Sequence, residues 1–225
     1  MESVLWYVIP LGIAMAFSML PILAAVLLLL SPRPVPVSVS YLAGWTLGVL
    51  VLVTIFTLVA RLVPTGTADR MPQWVHGVEI ALGAILILWG VVSLVRGRRG
   101  EPARAPSWTS ALQRFGPRRA FGVGLAMNLR PKNLTLVLAA GLAIGSASLD
   151  VVGAGVAIVV FTVVAISTVA GLVLAYLFGN KSVRPLLELL SGWLVSHANT
   201  VLWFTMLLVG ALLVLLGVGH LLSLI

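Results

Sequence analysis

The chain has 225 residues, of which 60% are hydrophobic and only 9% are charged, and this composition excludes a soluble globular domain. It carries a formal net charge of +8 and no cysteine, which excludes disulfide bonds, thiol redox relays and cysteine-ligated metals. The basic residues are concentrated in one loop, so they indicate membrane topology and contact with anionic lipids rather than nucleic-acid binding. The sequence therefore predicts an all-α integral membrane protein with several spans.

Six apolar segments are predicted to cross the bilayer, each close to the length of about 20 residues that a span requires. The first contains Pro10 and Pro21, so we expect it to be kinked or broken. A proline-rich rigid turn is predicted at 31–36, and a short interfacial helix at 185–194. The six predicted spans are 4–30, 41–60, 76–95, 121–144, 151–178 and 199–222.

The longest polar connection divides the chain into two halves of three spans. Residues 96–119 hold seven arginines and one acid, so we predict a first repeat at 1–96, a basic loop at 97–119 and a second repeat at 120–225. An odd number of spans in each half inserts the second half upside down, as an inverted repeat. The positive-inside rule places the loop in the cytoplasm and both termini outside, because the opposite side carries only Arg61 and Arg70.

A short internal match supports two related halves. Residues 12–15 read Gly-Ile-Ala-Met and residues 124–127 read Gly-Leu-Ala-Met, and each match precedes a proline, Pro21 or Pro131, at offsets that differ by two. We therefore predict that the first and fourth spans are interrupted near these prolines and face each other at mid-depth. The small-residue face formed by Gly44 and Gly48 indicates close helix packing. If this face and the one at 141 and 145 are exposed, they are compatible with a homodimer.

The fourth span carries the strongest functional signal. A rise of about 1.5 Å per residue from Phe121 places Arg130 about 14 Å deep, near the middle of a hydrocarbon layer about 30 Å thick. A cation at that depth costs at least about 2.5 kcal/mol, and Pro131 blocks continuation of the helix. An alternative is a cytoplasmic loop with a helix that begins only at Leu134. The predicted substrate-binding residues are Ser18, Pro21, Asn128, Arg130, Pro131, Lys132 and Asn133.

These residues suit an anionic group. If Pro131 begins a half-helix, the amides of 132–135 and the positive end of the helix dipole add to Arg130 and Lys132. Arginine offers a planar fork to phosphate or sulfate oxygens, lysine a point charge, and the two asparagines offer neutral donors. The rival interpretation is that Arg130 snorkels to the cytoplasmic headgroups.

Enzymatic and metal sites are not indicated. His76, His197 and His220 lie at the ends of different spans, so they are not expected to converge on a metal or a nucleophile. We predict no catalytic residue, no metal and no cofactor. Glu79 is the one candidate for proton coupling, although a helix-end acid with a local partner is the more frequent role.

The segments LGIAMAFSMLPILAAVLLLLSPRP and GLAMNLRPKNLTLVLAAG, with an Asn-x-x-Pro-Lys-Asn element in the fourth span, resemble the lysine-exporter superfamily. Within it the chain is most similar to the actinobacterial Gap/Sap glycolipid- and sulfolipid-addressing group. This resemblance implies a multi-pass protein of the bacterial inner membrane. Amino-acid exporters of the superfamily typically carry Asn-Pro-Lys, whereas Arg130-Pro131-Lys132 stands here, and the second cation favours a more anionic group.

The resulting functional prediction is a transporter or flippase for an anionic amphiphile, with a lipid-linked phosphate or sulfate headgroup. Two alternatives remain open: an exporter of small solutes of the amino-acid type, and a non-transporting scaffold of a lipid-export complex. The predicted partners are membrane lipids, an anionic lipid or small anionic substrate and lipid-export machinery.

Overall fold

The computed structural model describes residues 2–62, 73–98, 112, 114–179 and 183–222, and within them the secondary structure is helical. Its helices are named here in chain order. They are α1 (Glu2–Ala16), α2 (Met19–Leu29), α3 (Pro34–Leu62), α4 (Gln73–Arg98), α5 (Pro117–Met127), α6 (Pro131–Ser146), α7 (Val151–Gly179), α8 (Arg184–Ser196) and α9 (Ala198–Leu222).

The first apolar segment is broken into α1 and α2, which bend by 49° relative to each other. The break lies at Phe17 and Ser18, and Ser18 has an extended backbone with φ −77° and ψ 110°. The expectation of an interruption near Pro21 was therefore misplaced by a few residues. Pro21 lies in the first turn of α2, where its missing N–H leaves no hydrogen bond unmade, so this proline does not interrupt the helix.

The rigid turn predicted at 31–36 is shorter than expected, because α3 already begins at Pro34. Both Pro34 and Pro36 fall in the first turn of this helix, where a proline is tolerated and its fixed φ suits the helical backbone. The second predicted span thus extends by several residues at its start and by two at its end.

The fourth apolar segment is interrupted as predicted. Helix α5 ends at Met127, and Arg130 is extended, with φ −67° and ψ 140°, before α6 begins at Pro131. The alternative of a loop followed by a helix from Leu134 is wrong, because α5 is already helical and α6 starts three residues before Leu134.

The two broken segments and the two long helices form the core. The pair α1 and α2 packs on α7, the pair α5 and α6 packs on α3, and α4 packs on α9. In addition α1 contacts α6, α2 contacts α5, and α3 contacts α7. The interior is apolar and continuous across these helices, with Trp45, Phe161 and Leu136 among its fully buried side chains.

Glycines bring the helices close together. A Cβ added at Gly44 would clash with the backbone of Phe121, and one added at Gly124 would clash with the carbonyl oxygen of Tyr41, so α3 and α5 meet backbone to backbone. This confirms the close packing predicted for the Gly44 face. Gly141 and Gly145 lie equally close to α3 and are buried, so they are not the exposed faces expected. The homodimer stays a prediction without support from them.

Two helices, α3 and α7, are each long and apolar enough to cross a bilayer, and the bent pair α1–α2 forms a third candidate. Helix α4 contributes a shorter apolar stretch at Ile80–Val95. Together with the composition, these helices make the chain a helical membrane protein. The count of six spans remains a prediction, and most of the basic loop at 97–119 lies outside the described residues.

The interfacial helix predicted at 185–194 corresponds to α8. Its Leu187 is buried against Val26 and Leu29 of α2, whereas Leu189 and Trp193 are exposed. The helix is therefore anchored to the broken first segment through Leu187, and it leaves apolar side chains exposed.

Candidate functional site

The two helix breaks meet in the interior through a buried pair of polar side chains. The Ser18 hydroxyl, at the first break, donates to Asn133 Oδ1 over 3.0 Å. Asn133 Nδ2 in turn donates to the Met127 carbonyl over 2.9 Å, which closes the gap between the end of α5 and the start of α6. Asn133 thus links both breaks and satisfies a carbonyl that the interruption had freed.

A cavity of about 160 Å³ lies beside this contact. It receives residues from the first break and the start of α2, from the second break and the start of α6, and from α4 and α9. Its polar lining consists of Ser18, Arg130, Lys132, Asn133 and Thr205, and its apolar lining includes Met19, Leu20, Trp89, Pro131 and Met206.

Two cations face this cavity without an anionic partner in the described part of the chain. Lys132 is only 7% exposed, and Arg130 is partly buried. Of the three acids whose side chains are described, Glu2 is exposed at the start of α1, Asp150 accepts from the Gly153 amide at the start of α7, and Glu188 pairs with Arg184 on α8. A buried ammonium group without a counter-ion is unfavourable unless an anion or water accompanies it.

The start of α6 adds backbone donors to these cations. The Leu134 amide donates to the Arg130 carbonyl over 2.8 Å, and helix geometry gives the Thr135 amide the Pro131 carbonyl, so the expectation that amides 132–135 are all free was wrong for these two residues. Helix geometry leaves the amides of Lys132 and Asn133 without an intrahelical acceptor, and Pro131 has no N–H. Together with the helix dipole, these two amides and the two cations form an environment suited to an anion.

Two of the predicted site residues do not line the cavity. Asn128 is fully buried on the opposite side of the break, where its Nδ2 donates to the carbonyls of Trp45 and Gly124 over 3.3 and 3.1 Å. Pro21 is also buried, and its carbonyl accepts a hydrogen bond from the Tyr41 hydroxyl over 3.0 Å. In the structure both residues attach a break to α3. The structure brings Ser18, Arg130, Pro131, Lys132 and Asn133 together at the cavity.

A second cavity of about 280 Å³ adjoins the first through Arg130, which lines both. Apart from Arg130 its lining is apolar and includes Val123, Ala126 and Met127 of α5. Leu112 and Phe115, from the segment before α5, complete the wall. We call this second cavity the α5 groove.

Other candidate groups lie away from the cavity or outside the described side chains. His197 stacks on Trp193 between α8 and α9, with ring centroids 4.9 Å apart. The side chains of His76, His220 and Glu79 lie outside the described part of the structure, so proton coupling through Glu79 stays a prediction. Within the described residues, no cluster of three or more histidine or acidic side chains could hold a metal.

Sequence reasoning missed the cavity residues on α4 and α9, which are Trp89, Thr205 and Met206. A tryptophan well inside a span was a usable signal, because tryptophans are enriched at membrane interfaces rather than at mid-depth. Nothing in the local sequence distinguishes Thr205 or Met206 from other positions of an apolar helix.

The sequence matches the family described as Sap, sulfolipid-1-addressing protein, over residues 8–219. The chain belongs to this Sap family. The match covers both helix breaks and every residue of the cavity. Neither the curated proteins nor the solved structures contain a match. Membership of the Sap family agrees with the resemblance noted from the sequence, and the wider lysine-exporter superfamily remains a prediction.

Proposed function

We propose that this chain is a transporter of flippase type that moves an anionic amphiphile across the bacterial inner membrane. The observation that carries the proposal is the meeting of two interrupted segments at a cavity with Arg130 and Lys132 and no described carboxylate partner. Helix ends that converge inside a membrane protein are a recurrent way to bind a charged substrate. Membership of the Sap family supports a lipid as the molecule that is addressed or exported.

The packing of the helices supports an inverted repeat. The comparison replaces each helix of the first half by its counterpart in the second: α1 by α5, α2 by α6, α3 by α7 and α4 by α9. After this exchange, the helix pairs with the most contacts again correspond to pairs that are in contact. For example, α1 with α7 becomes α5 with α3, and α1 with α6 becomes α5 with α2. Each half then supplies one broken segment to the centre, an arrangement that allows alternating access by rocking of the halves.

The matching tetrapeptides support the same relation. Gly12 approaches α7 at Val164, and Gly124 approaches α3 at Tyr41, so each glycine faces the second span of the other half. Ser18 and Arg130 each stand three residues after the methionine of their motif, and each is the N-cap residue of the following helix. The breaks therefore correspond to each other, although the prolines do not.

The transport test is reconstitution into liposomes at matched protein levels. The probes are a fluorescent short-chain phosphatidic acid, a phosphatidylcholine with the same chains and a radiolabelled amino acid. We expect the parent chain to move the phosphatidic acid faster than empty liposomes do, and the Arg130→Ala/Lys132→Ala double variant to lose this activity. A scaffold would move none of the probes, and an exporter of small solutes would move only the amino acid.

The orientation is tested separately and uses the absence of cysteine from the chain. We expect a cysteine introduced at Ser223 to react with an impermeant thiol reagent on intact cells, and a cysteine at Ser107 to react only after lysis. This follows from the excess of arginine in the central loop. The reverse labelling pattern would overturn the placement of both termini outside.

A further inference from the structure

One face of α5 packs on α3, and an adjacent face forms the α5 groove. The packed face includes Ala120 and Gly124, which are buried against α3. Val123, Ala126 and Met127 follow each other at helical spacing along the groove, and Arg130 extends the same face beyond the end of the helix. The groove is thus an apolar channel beside α5 with a cation at its inner end.

Arg130 connects this groove to the central cavity, because its side chain lines both. A ligand with its anionic group at Arg130 and Lys132 could therefore place an attached apolar chain along α5 without leaving the protein surface. Ala126 is exposed and Phe115 and Val123 are only partly buried, so the groove is accessible at these residues, whereas Leu112 and Met127 form its buried wall. The charge at one end and the apolar wall along the rest match the two parts of an amphiphile.

The size of the groove fits part of an alkyl chain. An apolar cavity of about 150 Å³ is large enough to hold benzene. By the same scale, the 280 Å³ of the α5 groove would accommodate roughly ten carbon atoms of a chain. A longer lipid tail would extend from the groove into the bilayer.

We infer that the α5 groove binds the first part of the acyl chain of the transported amphiphile while its anionic group is held at Arg130. This inference rests on the proposed function and assigns the groove to the tail of the same ligand. The groove selects substrates that carry an alkyl chain directly behind the anionic group, and it favours lipids over free phosphate or sulfate.

The experiment compares the affinities of methyl phosphate and hexyl phosphate for the purified full chain, by titration calorimetry in one detergent. Detergent partitioning of hexyl phosphate is the same for every variant, so it cancels when the hexyl-to-methyl affinity ratio is compared between variants. Ala126→Phe fills the groove. Gly122→Phe is the matched control on the same helix, because a Cβ added at Gly122 meets no atom within 4 Å.

We expect Ala126→Phe to lower the hexyl-to-methyl ratio by at least about tenfold, since each buried methylene contributes about threefold to fourfold in affinity. Methyl phosphate binding should stay at the parent level in this variant. The ratio should not change in Gly122→Phe. Arg130→Ala should weaken both ligands by a similar factor and leave the ratio unchanged. If Ala126→Phe does not fold, Ala126→Asn tests the same groove through polarity, with the same expected fall.

The outcomes separate the two proposals. A hexyl-to-methyl ratio that is the same in Ala126→Phe as in the parent overturns the groove assignment, and methyl phosphate binding that depends on Arg130 then leaves the anion site intact. Conversely, a ratio that depends on Ala126 together with binding that ignores Arg130 supports the groove and overturns the anion site. If the ratio does not depend on Ala126 and methyl phosphate binding does not depend on Arg130, both the groove assignment and the anion site are overturned.

Discussion

The two helix breaks meet in the interior of the fold, but the side chains that they supply differ in chemistry. At the first break the N-cap residue of α2 is Ser18, followed by Met19 and Leu20, whereas at the second the N-cap residue of α6 is Arg130, followed by Pro131 and Lys132. The first break supplies one neutral hydroxyl and apolar walls, and the second supplies both cations of the cavity. The two breaks therefore contribute differently to the cavity. The first lines it with neutral side chains, and the second supplies its positive charge.

The attachments behind the two breaks differ as well. The first break is tied to α3 by one hydrogen bond, from Tyr41 to the Pro21 carbonyl. The second is tied to α3 by Asn128 and by the backbone contact at Gly124. Among the described residues, the second break thus has a close backbone contact with α3 in addition to a side-chain hydrogen bond, and we expect this contact to restrict the movement of Arg130 and Lys132. Four predictions test this difference, in order of decreasing effect.

The largest effect is expected from removal of the cations. Arg130→Ala and Lys132→Ala should each weaken binding of methyl phosphate by about ten- to a hundredfold, because a charge-assisted hydrogen bond contributes about 1.5–3 kcal/mol. Ser18→Ala should weaken it by less than about fivefold, as expected for a neutral hydroxyl. Arg130→Lys should recover only part of the loss, since the charge remains but the planar fork is absent. Titration calorimetry measures all four.

Thermal unfolding provides the control for these variants. Lys132→Ala should unfold at the same temperature as the parent or a higher one, because removal of a buried, unpaired cation relieves a desolvation cost. If Arg130→Ala and Lys132→Ala bind methyl phosphate like the parent, the cations are membrane anchors and the second break is not the charged site.

The second prediction concerns the glycines of the two matching motifs. Gly124→Ala should destabilise the fold by about 1–3 kcal/mol, because its Cβ would meet the backbone of Tyr41 and Trp45 and force α3 and α5 apart. Gly12→Ala should cost less, since its Cβ would lie 2.9 Å from a Val164 methyl, whereas that of Gly124→Ala would lie closer still to a backbone carbonyl oxygen. Thermal unfolding in detergent measures the order of the two.

Gly122→Ala is the control for both, because open space surrounds its Cβ position. It should be neutral or stabilise the fold by up to about 1 kcal/mol through helix propensity. An equal loss of stability in all three variants would mean that α1 and α5 are sensitive as helices, and that the contacts of α1 with α7 and of α5 with α3 are not the cause.

The third prediction isolates the contact between the breaks. Asn133→Ala removes the acceptor for Ser18 and the donor to Met127, so it should destabilise by about 1–3 kcal/mol, and Ser18→Ala by about 1 kcal/mol. In a double-mutant cycle the two should couple by about 0.5–1.5 kcal/mol. Purely additive effects would show that the breaks do not stabilise each other through this bond.

The smallest effect is expected from the hydrogen bond that joins α3 to the first break. Tyr41→Phe removes one hydrogen bond to the Pro21 carbonyl and should cost about 0.5–1.5 kcal/mol in thermal unfolding. Methyl phosphate affinity should not change, because Tyr41 does not line the cavity. A loss of affinity comparable to that of Lys132→Ala would show that the neutral break also orients the charged groups.

The sequence by itself determined the class of the protein and the chemistry of the second break. Composition is a property of the whole chain, and it excludes a soluble domain without any knowledge of contacts. Pro131 acts through its own ring and missing N–H, so the start of α6 could be predicted from local stereochemistry. Arg130 and Lys132 flank Pro131, so both cations could be assigned to the second break from the sequence.

The tertiary structure decided where the first break lies and what each polar side chain contacts. Pro21 is compatible with both a helix start and a helix interruption, and only the packing of α2 places the break at Ser18. The partners Ser18 and Asn133 are 115 residues apart, and Asn128 reaches Trp45 across 83 residues. No local pattern specifies such pairs, because they depend on how helices that are far apart in the sequence approach each other. For the same physical reason, the cavity residues of α4 and α9 and the α5 groove could be found only in the folded chain.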